Sequence, residues 1–83
     1  MAYKIRFKRS VAKDLNKLNQ KEKIRILDKI DEVLKIRPAD FPKLKGEYFG
    51  LRKLRIGSYR VIFSILDDEV HVLRIGHRTN VYK

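Results

Sequence analysis

No cysteine occurs in the sequence, and this absence excludes a disulfide framework, a cysteine nucleophile and a metal site built on thiolates. Histidine is also scarce, and two histidines alone make a poor set of metal ligands. We therefore expect no metal and no small-molecule cofactor. A chain without cysteine suits the reducing cytoplasm, which is the compartment we expect for this protein.

Long apolar runs are missing as well. The longest mostly apolar stretch is residues 61–66, and residues 1–9 alternate charged with apolar side chains. A membrane span needs about 20 apolar residues, and a signal peptide needs a continuous apolar block. The sequence therefore predicts neither a signal peptide nor a membrane span.

Acidic residues are few compared with basic ones: 10 Asp and Glu stand against 21 Lys and Arg, which gives a net charge of +11 on 83 residues. A chain of this length suits one domain with one core, and we expect residues 1–83 to form it. So large a charge implies a polyanionic partner, either a nucleic acid or an acidic protein. A membrane surface is disfavoured, because no helix combines a basic face with a bulky aromatic one.

Two short runs, residues 51–56 and 59–63, largely alternate apolar with basic side chains and predict a β-hairpin. The Gly-Ser pair between them is typical of a two-residue turn with glycine in its first position. This turn places Arg55 directly opposite Arg60. One face of the hairpin then carries Leu54, Ile56, Tyr59, Val61 and Phe63, and we expect Leu54, Ile56, Val61 and Phe63 to be buried.

The other face of the hairpin carries Lys53, Arg55 and Arg60, and the run contains no acidic residue to offset them. Because two arginines directly opposite each other repel, this arrangement favours a face that binds an anion. The alternative is a solvated face whose basic residues only keep the sheet soluble. Lys43 and Lys45 add positive charge in the turn-rich connection before the hairpin.

The preceding part of the chain predicts one strand and two helices. Residues 3–7 alternate apolar with basic side chains, as a half-buried strand does. Ser10 predicts the N-cap of a first helix, and Asn19 with Glu22 predicts a capping-box-like start of a second. The second helix has one apolar stripe and ends before Pro38.

The final strand is predicted for residues 70–75, after an acidic turn. A two-residue loop would point Arg74 into the core, whereas a three-residue loop aligns Leu73 with Phe63. We therefore expect a three-residue loop at residues 67–69.

These elements give an α+β fold, in which an N-terminal strand and a two-helix hairpin precede a three-stranded antiparallel meander. We expect the helices to cover one face of the sheet. Gly76 then lies opposite Arg60 and leaves space above it. The expected core joins Leu54, Ile56, Val61, Phe63, Leu73 and Ile75 of the meander to Leu15, Leu18, Leu27, Ile30 and Leu34 of the helices.

Three stretches resemble RelE-type bacterial and archaeal toxins: Lys-Leu-Lys-Gly before the hairpin, Leu-Arg-Ile-Gly-Ser-Tyr-Arg-Val-Ile-Phe within it, and Ile-Gly-His-Arg-x-x-Val-Tyr at the end. The resemblance covers nearly the whole chain and includes the order of the elements. It implies a RelE-like fold and a toxin of a type II toxin–antitoxin system. It further implies a metal-independent, ribosome-dependent endoribonuclease that cuts mRNA in the A site by attack of a ribose 2′-hydroxyl on the adjacent phosphate.

Carried over position by position, the resemblance identifies a catalytic set in the hairpin and the tail. Arginine matches phosphate oxygens with a fork of donors, which suits Arg60 and Arg78 to the charge of the transition state. Tyr82 and His77 are the candidates for proton transfer. Lys53 matches one of the family's catalytic lysines and is a candidate for the general base.

A second catalytic lysine of some members corresponds to Leu51 here, so the identity of the base stays open. This chain offers Arg52 and Arg55 nearby. We expect both to bind RNA phosphates, together with Lys43 and Lys45.

The resemblance also implies the partners. These are a cognate antitoxin, RelB-like and acidic, and the ribosome with its mRNA. One alternative is a ParE-like toxin, which shares this fold, lacks the RNase residues and acts on DNA gyrase; the pairing of Arg60 with Arg78 and Tyr82 argues against it. Another is a nucleic-acid-binding module that contacts phosphates without chemistry, which composition does not exclude.

Overall fold

A computed structural model describes residues 2–44 and 50–77 of the protein. The predicted order of one strand, two helices and three further strands is confirmed. Among these residues, no helix is long and apolar enough to cross a membrane. The elements are β1 (Lys4–Phe7), α1 (Arg9–Asn16), α2 (Gln20–Leu34), a short 3-10 helix (Pro38–Asp40), β2 (Arg52–Ile56), β3 (Tyr59–Leu66) and β4 (Glu69–His77).

The four strands form one mixed sheet in the order β1-β4-β3-β2. The last three are antiparallel neighbours, as predicted for the meander. β1 pairs with β4 in parallel, with Lys4 opposite Glu69 and Phe7 opposite Val72. This pairing joins residues far apart in sequence, so no local pattern could specify it.

The β2–β3 hairpin has the predicted register, with Ile56 opposite Tyr59 and Arg55 opposite Arg60. Gly57, the first turn residue, has φ of +60°. The two-residue turns that match strand twist need a positive φ at this position. A Cβ at Gly57 would also lie only 3.1 Å from the Arg25 guanidinium, so glycine leaves space for that side chain.

The β3–β4 turn differs from the prediction. Leu66 pairs with Glu69, so the loop has two residues and the predicted three-residue loop is wrong. Asp67, the first of the two, has φ of +55°. Aspartate tolerates this left-handed conformation better than most residues, which lets a tight turn form without glycine.

A β-bulge in β4 takes up the extra residue instead. Phe63 pairs with Val72 and Ile62 with Arg74, so Leu73 has no partner of its own. The predicted alignment of Leu73 with Phe63 is therefore wrong, and Leu73 is half-buried outside the core cluster. A bulge and a longer loop shift the register by the same amount, which is why alternation could not tell them apart.

Beyond the bulge, the register agrees with the prediction. Ile75 lies opposite Val61, and Gly76 lies opposite Arg60. The bulge therefore keeps Ile75 in the core, where it is 1% exposed.

The hydrophobic core lies between the sheet and the two helices. Most of the predicted residues belong to it, while Leu15, Leu18 and Leu27 are only partly buried. Phe41, from the connection before β2, adds an edge-to-face contact with Phe63 at 6.3 Å between ring centroids. The buried cluster consists of Val11, Ile26, Ile30, Val33, Leu34, Leu54, Ile56, Val61, Phe63, Val70, Val72 and Ile75.

Only one of the two predicted helix caps is present. Asn19 caps α2, and its side chain accepts a hydrogen bond from the Glu22 N–H at 2.8 Å. The prediction for Ser10 is wrong, because Lys8 occupies the N-cap position of α1 without a side-chain bond. Ser10 lies in the first turn instead, and its Oγ donates to the carbonyl of Leu73 at 3.0 Å.

Candidate functional site

The predicted basic face of the hairpin forms as expected. Lys53, Arg55 and Arg60 alternate with buried residues of β2 and β3, so they lie on the sheet face away from the core. We call these three residues the basic face. Lys53 and Arg60 are half-buried, whereas Arg55 is exposed.

Charge on the basic face is concentrated where the two strands pair. Arg55 and Arg60 are directly opposite each other, and Lys53 is the diagonal neighbour of Arg60, at about 7 to 8 Å between backbones. Arg55 Nε donates to the Gly57 carbonyl at 3.3 Å, which ties this side chain to the turn. An anion bound over the strand pair would relieve the repulsion between these cations.

The centre of the same sheet face is apolar. Ile62 is 3% exposed although it lies on the basic side of β3. Its partners on the neighbouring strands are Lys53 and Arg74. Long basic side chains commonly lay their alkyl stems over apolar surface and keep the charge in water, so this face combines basic groups with an apolar floor.

Arg52 does not join the basic face. It pairs with Phe63 and shares the core-facing side of β2. Its Nη1 donates to the carbonyls of Ala39 at 3.1 Å and Phe41 at 2.7 Å, and Lys43 forms a β-bridge with Arg52. These contacts tether the connection to β2, and they give the predicted phosphate-binding role of Arg52 no support.

Three of the predicted site residues, Lys45, Arg78 and Tyr82, lie outside the described residues. Their roles stay predictions.

His77 lies on the opposite side of the sheet from Arg60. It pairs with Tyr59, and the two rings meet edge to face with centroids 5.9 Å apart. Because side chains alternate along a strand, Gly76 rather than His77 is the neighbour of Arg60. The structure therefore separates this candidate for proton transfer from the basic face.

An unpredicted cluster forms around Asp14, the one charged residue among the described ones that is buried, with 6% exposure. Its carboxylate accepts hydrogen bonds from Arg74 Nε at 3.0 Å, from Arg74 Nη2 at 3.3 Å and from the Ile75 N–H at 2.9 Å. The sequence holds one signal for this. Asp14 interrupts the apolar stripe of α1 between Val11 and Leu15.

Two side chains of α1 take the place of a neighbouring strand along β4. β1 ends at Phe7, and beyond it Ser10 Oγ donates to the Leu73 carbonyl while Asp14 accepts from the Ile75 N–H. Four residues of helix rise about 6 Å, close to two residues of strand at about 6.6 Å. The helix thus matches the spacing of the strand edge and holds the end of β4.

A cleft of about 230 Å³ opens between the end of α1 and the end of the β3–β4 pair. It lies along the edge of β4 beside α1 and was not predicted, and its lining includes β4 residues of both sheet faces, Arg74 and Gly76 as well as Ile75 and His77. We call it the end cleft; its walls include Asp14, Lys17, Leu18, Tyr59, Arg74 and His77.

A separate charged cluster lies at the other end of β4. Glu69 contacts Arg6 at 3.4 Å and His71 Nε2 at 3.1 Å. Partial desolvation acts to raise the pKa of Glu69, but the Arg6 charge and hydrogen bonds from Arg6 and His71 outweigh it and lower the pKa below its ordinary value. Neither this cluster nor any other in residues 2–44 and 50–77 brings together three side chains that could hold a metal ion.

A family model described as the ParE toxin of type II toxin–antitoxin systems, parDE, matches residues 5–82. A comparison with curated proteins finds no match. The sequence similarity to the family model therefore covers nearly the whole chain, including the hairpin and the tail.

Solved structures with the same fold include toxins from bacteria and archaea. A RelBE toxin–antitoxin complex from Mycobacterium tuberculosis is 28% identical with a TM-score of 0.88, and the match covers 94% of this chain and 100% of that one. The archaeal RelE–RelB complex from Pyrococcus horikoshii is 30% identical, with a TM-score of 0.76 and coverage of 98% and 100%. A mutant of E. coli toxin RelE bound to an antitoxin RelB peptide is 26% identical, with a TM-score of 0.74 and coverage of 93% and 84%.

Proposed function

Because the chain belongs to the RelE/ParE superfamily of toxins of type II toxin–antitoxin systems, we propose that it is a ribosome-dependent endoribonuclease that cuts mRNA in the A site. The observation that carries the proposal is the direct pairing of Arg55 with Arg60, with Lys53 on the same sheet face. Like charges directly opposite each other on a strand pair repel, and a phosphate bound over the pair offsets this repulsion.

The proposed reaction is attack of a ribose 2′-hydroxyl on the adjacent phosphate. It requires removal of the hydroxyl proton, stabilisation of the added negative charge and protonation of the leaving 5′-oxygen. Arg60 supplies the charge stabilisation, since a guanidinium donates two parallel hydrogen bonds to phosphate oxygens. Arg78 is the second donor in this proposal.

For proton transfer, the proposal favours Tyr82 as the acid. His77 packs against Tyr59 on the other side of the sheet from Arg60, which makes it the weaker candidate. Lys53 is on the correct face to act as the base or to add charge near the phosphate. The choice between these two roles of Lys53 stays open.

Incubation of the protein with programmed ribosomes tests the proposal, when the 5′ ends of the mRNA are mapped by primer extension. We expect cuts within the A-site codon, and no comparable cuts in the same mRNA without ribosomes. The description of the matching family model favours a second candidate, a ParE-like inhibitor of DNA gyrase. Gyrase-dependent DNA damage without mRNA cuts would support that candidate, and binding to ribosomes without cuts would support a non-catalytic binding module.

A cognate antitoxin, RelB-like and acidic, is the proposed protein partner. The side chain of Phe7 is 48% exposed on the edge strand β1. It borders an apolar groove of about 360 Å³, which also contacts Val11, Leu15 and Leu27 and has Lys8 and Arg9 on its rim. Apolar surface framed by cations fits a segment with an apolar face and acidic flanks.

Substitution of Phe7 with serine should therefore weaken antitoxin binding by about 30-fold or more, as expected for an apolar anchor at the centre of an interface. Titration calorimetry with the purified antitoxin measures this change. Leu66→Ser is the matched control, since Leu66 is 62% exposed and does not border the groove. Equal affinities of the two variants would contradict this placement of the antitoxin.

A further inference from the structure

The end cleft has the walls that a nucleobase requires. Tyr59 and His77 present two aromatic rings in edge-to-face contact, and Leu18 adds an apolar surface. Bases of single-stranded RNA are commonly held by stacking on aromatic side chains or on the plane of an arginine. The cleft contains both kinds of surface.

Arg74 provides the arginine plane. Its Nε and Nη2 both bind the Asp14 carboxylate, which fixes the guanidinium along one edge. A planar group held at its edge still presents its faces, and the side chain of Arg74 is 40% exposed. The buried Asp14 therefore orients a flat cation at the wall of the cleft.

The charge of the end cleft also suits a nucleotide. Lys17 and Arg74 are cations and Asp14 is an anion, so the formal balance of these three residues is one positive charge. Asp14 is already occupied by three donors. Lys17, exposed where α1 ends, is the cation that can turn toward a phosphate.

The end cleft and the basic face belong to the same pair of strands. Tyr59 precedes Arg60 in β3, and His77 follows Gly76 in β4. The lining of the end cleft also includes Gly76, the residue opposite Arg60, so the two sites adjoin at one end of the sheet. An RNA strand that crosses this end can contact both.

We propose that the end cleft binds one nucleotide of the RNA, with its base between the Tyr59–His77 pair and Arg74 and its phosphate at Lys17. The identity of this ligand as part of the substrate rests on the proposed function, and the nucleotide lies next to the phosphate that Arg60 binds. The cleft would then read the base beside the cut.

Titration of the whole chain with each of the four nucleoside 5′-monophosphates, followed by NMR, tests the proposal. We expect shifts of the Tyr59 and Ile75 amide signals that saturate at millimolar nucleotide, with one base bound more tightly than the others. Inorganic phosphate is the probe for a plain anion site. Shifts of equal size with phosphate alone, or shifts confined to the basic face, would overturn the proposal.

Two variants separate the cleft from its surroundings. Lys17→Ala should weaken nucleotide binding about two- to fivefold, as for one exposed charge contact, whereas Lys13→Ala, one turn earlier on α1 and outside the cleft, should not. Tyr59→Leu should weaken it about tenfold or more through lost stacking. Circular dichroism checks that each variant is folded, and unchanged binding by a folded Tyr59→Leu protein would contradict the assignment.

A third variant keeps the two proposals distinguishable. Arg60→Ala removes the phosphate donor of the basic face and should leave mononucleotide binding in the end cleft unchanged. If the wild-type protein does not cut mRNA on ribosomes but binds nucleotides in the cleft, the proposed function is wrong and the assignment of the cleft as a nucleotide site stands. If it cuts mRNA but no mononucleotide shifts Tyr59, the cleft proposal fails alone.

Discussion

Replacement of Arg60 with alanine should reduce cleavage of ribosome-bound mRNA by about 100- to 1000-fold, the usual cost of removing one preorganised donor to a transition state. In cells, the same change should abolish toxicity. Single-turnover cleavage on programmed ribosomes measures the effect directly. Arg60→Lys keeps the charge but loses the fork of donors, so its activity should lie between those of the alanine variant and the wild type.

The same substitution should leave the fold intact. Arg60 is half-buried on the face away from the core, so truncation opens no core cavity, and the free energy of unfolding should change by no more than about 1 kcal/mol. Removing the charge opposite Arg55 offsets part of the loss. Arg37→Ala, at an exposed arginine after α2, controls for the loss of one positive charge. Near wild-type cleavage by Arg60→Ala would contradict the assignment of Arg60 as phosphate donor.

Replacement of Asp14 with alanine should lower the free energy of unfolding more than the Arg60 substitution does. It leaves the Ile75 N–H and the Arg74 guanidinium without their acceptor. Loss of one partner from a fully buried ion pair costs about 3 to 5 kcal/mol, but Arg74 is 40% exposed and water replaces part of the interaction. We therefore expect a loss of about 2 to 3 kcal/mol, and a melting temperature lower by about 10 °C or more.

Urea unfolding of three variants separates the parts of this contact. Asp14→Asn keeps an acceptor for the Ile75 N–H and should lose less than Asp14→Ala. Arg74→Met removes the cation but leaves the strand contact of Asp14 in place. A double-mutant cycle between the two positions gives their coupling. An Asp14→Ala protein as stable as the wild type would show that α1 does not hold the end of β4.

Alternation of side chains was sufficient to predict the hairpin register and the two faces of β2 and β3, because both depend on near neighbours. It failed at Leu73, because a bulge and a loop that is one residue longer leave the side chains that follow on the same faces of the sheet. Ser10 was misassigned for a related reason. The residue type suits a helix cap, but its actual acceptor, the Leu73 carbonyl, is distant in sequence.

The candidate site also has a part that could be predicted from near neighbours in sequence and a part that could not. Arg55 and Arg60 could be placed from the hairpin alone, and the same alternation puts Arg52 with Leu54 on the core-facing side, against the role that proximity in sequence suggested. The contact of Asp14 with Arg74 could not be predicted, because it joins a helix and a strand that meet only in the folded protein. The end cleft depends on that contact.

The short first strand has a consequence for how a partner is chosen. β1 has four residues and lies at the edge of the sheet, so a partner strand added there would run for only about 13 Å. Backbone pairing is nearly independent of sequence, and over so short a distance it contributes little to selectivity. Discrimination between a cognate antitoxin and its paralogues should therefore depend on the side chains that fill the groove beside Phe7. Single substitutions there, in either protein, should change which antitoxin the toxin binds.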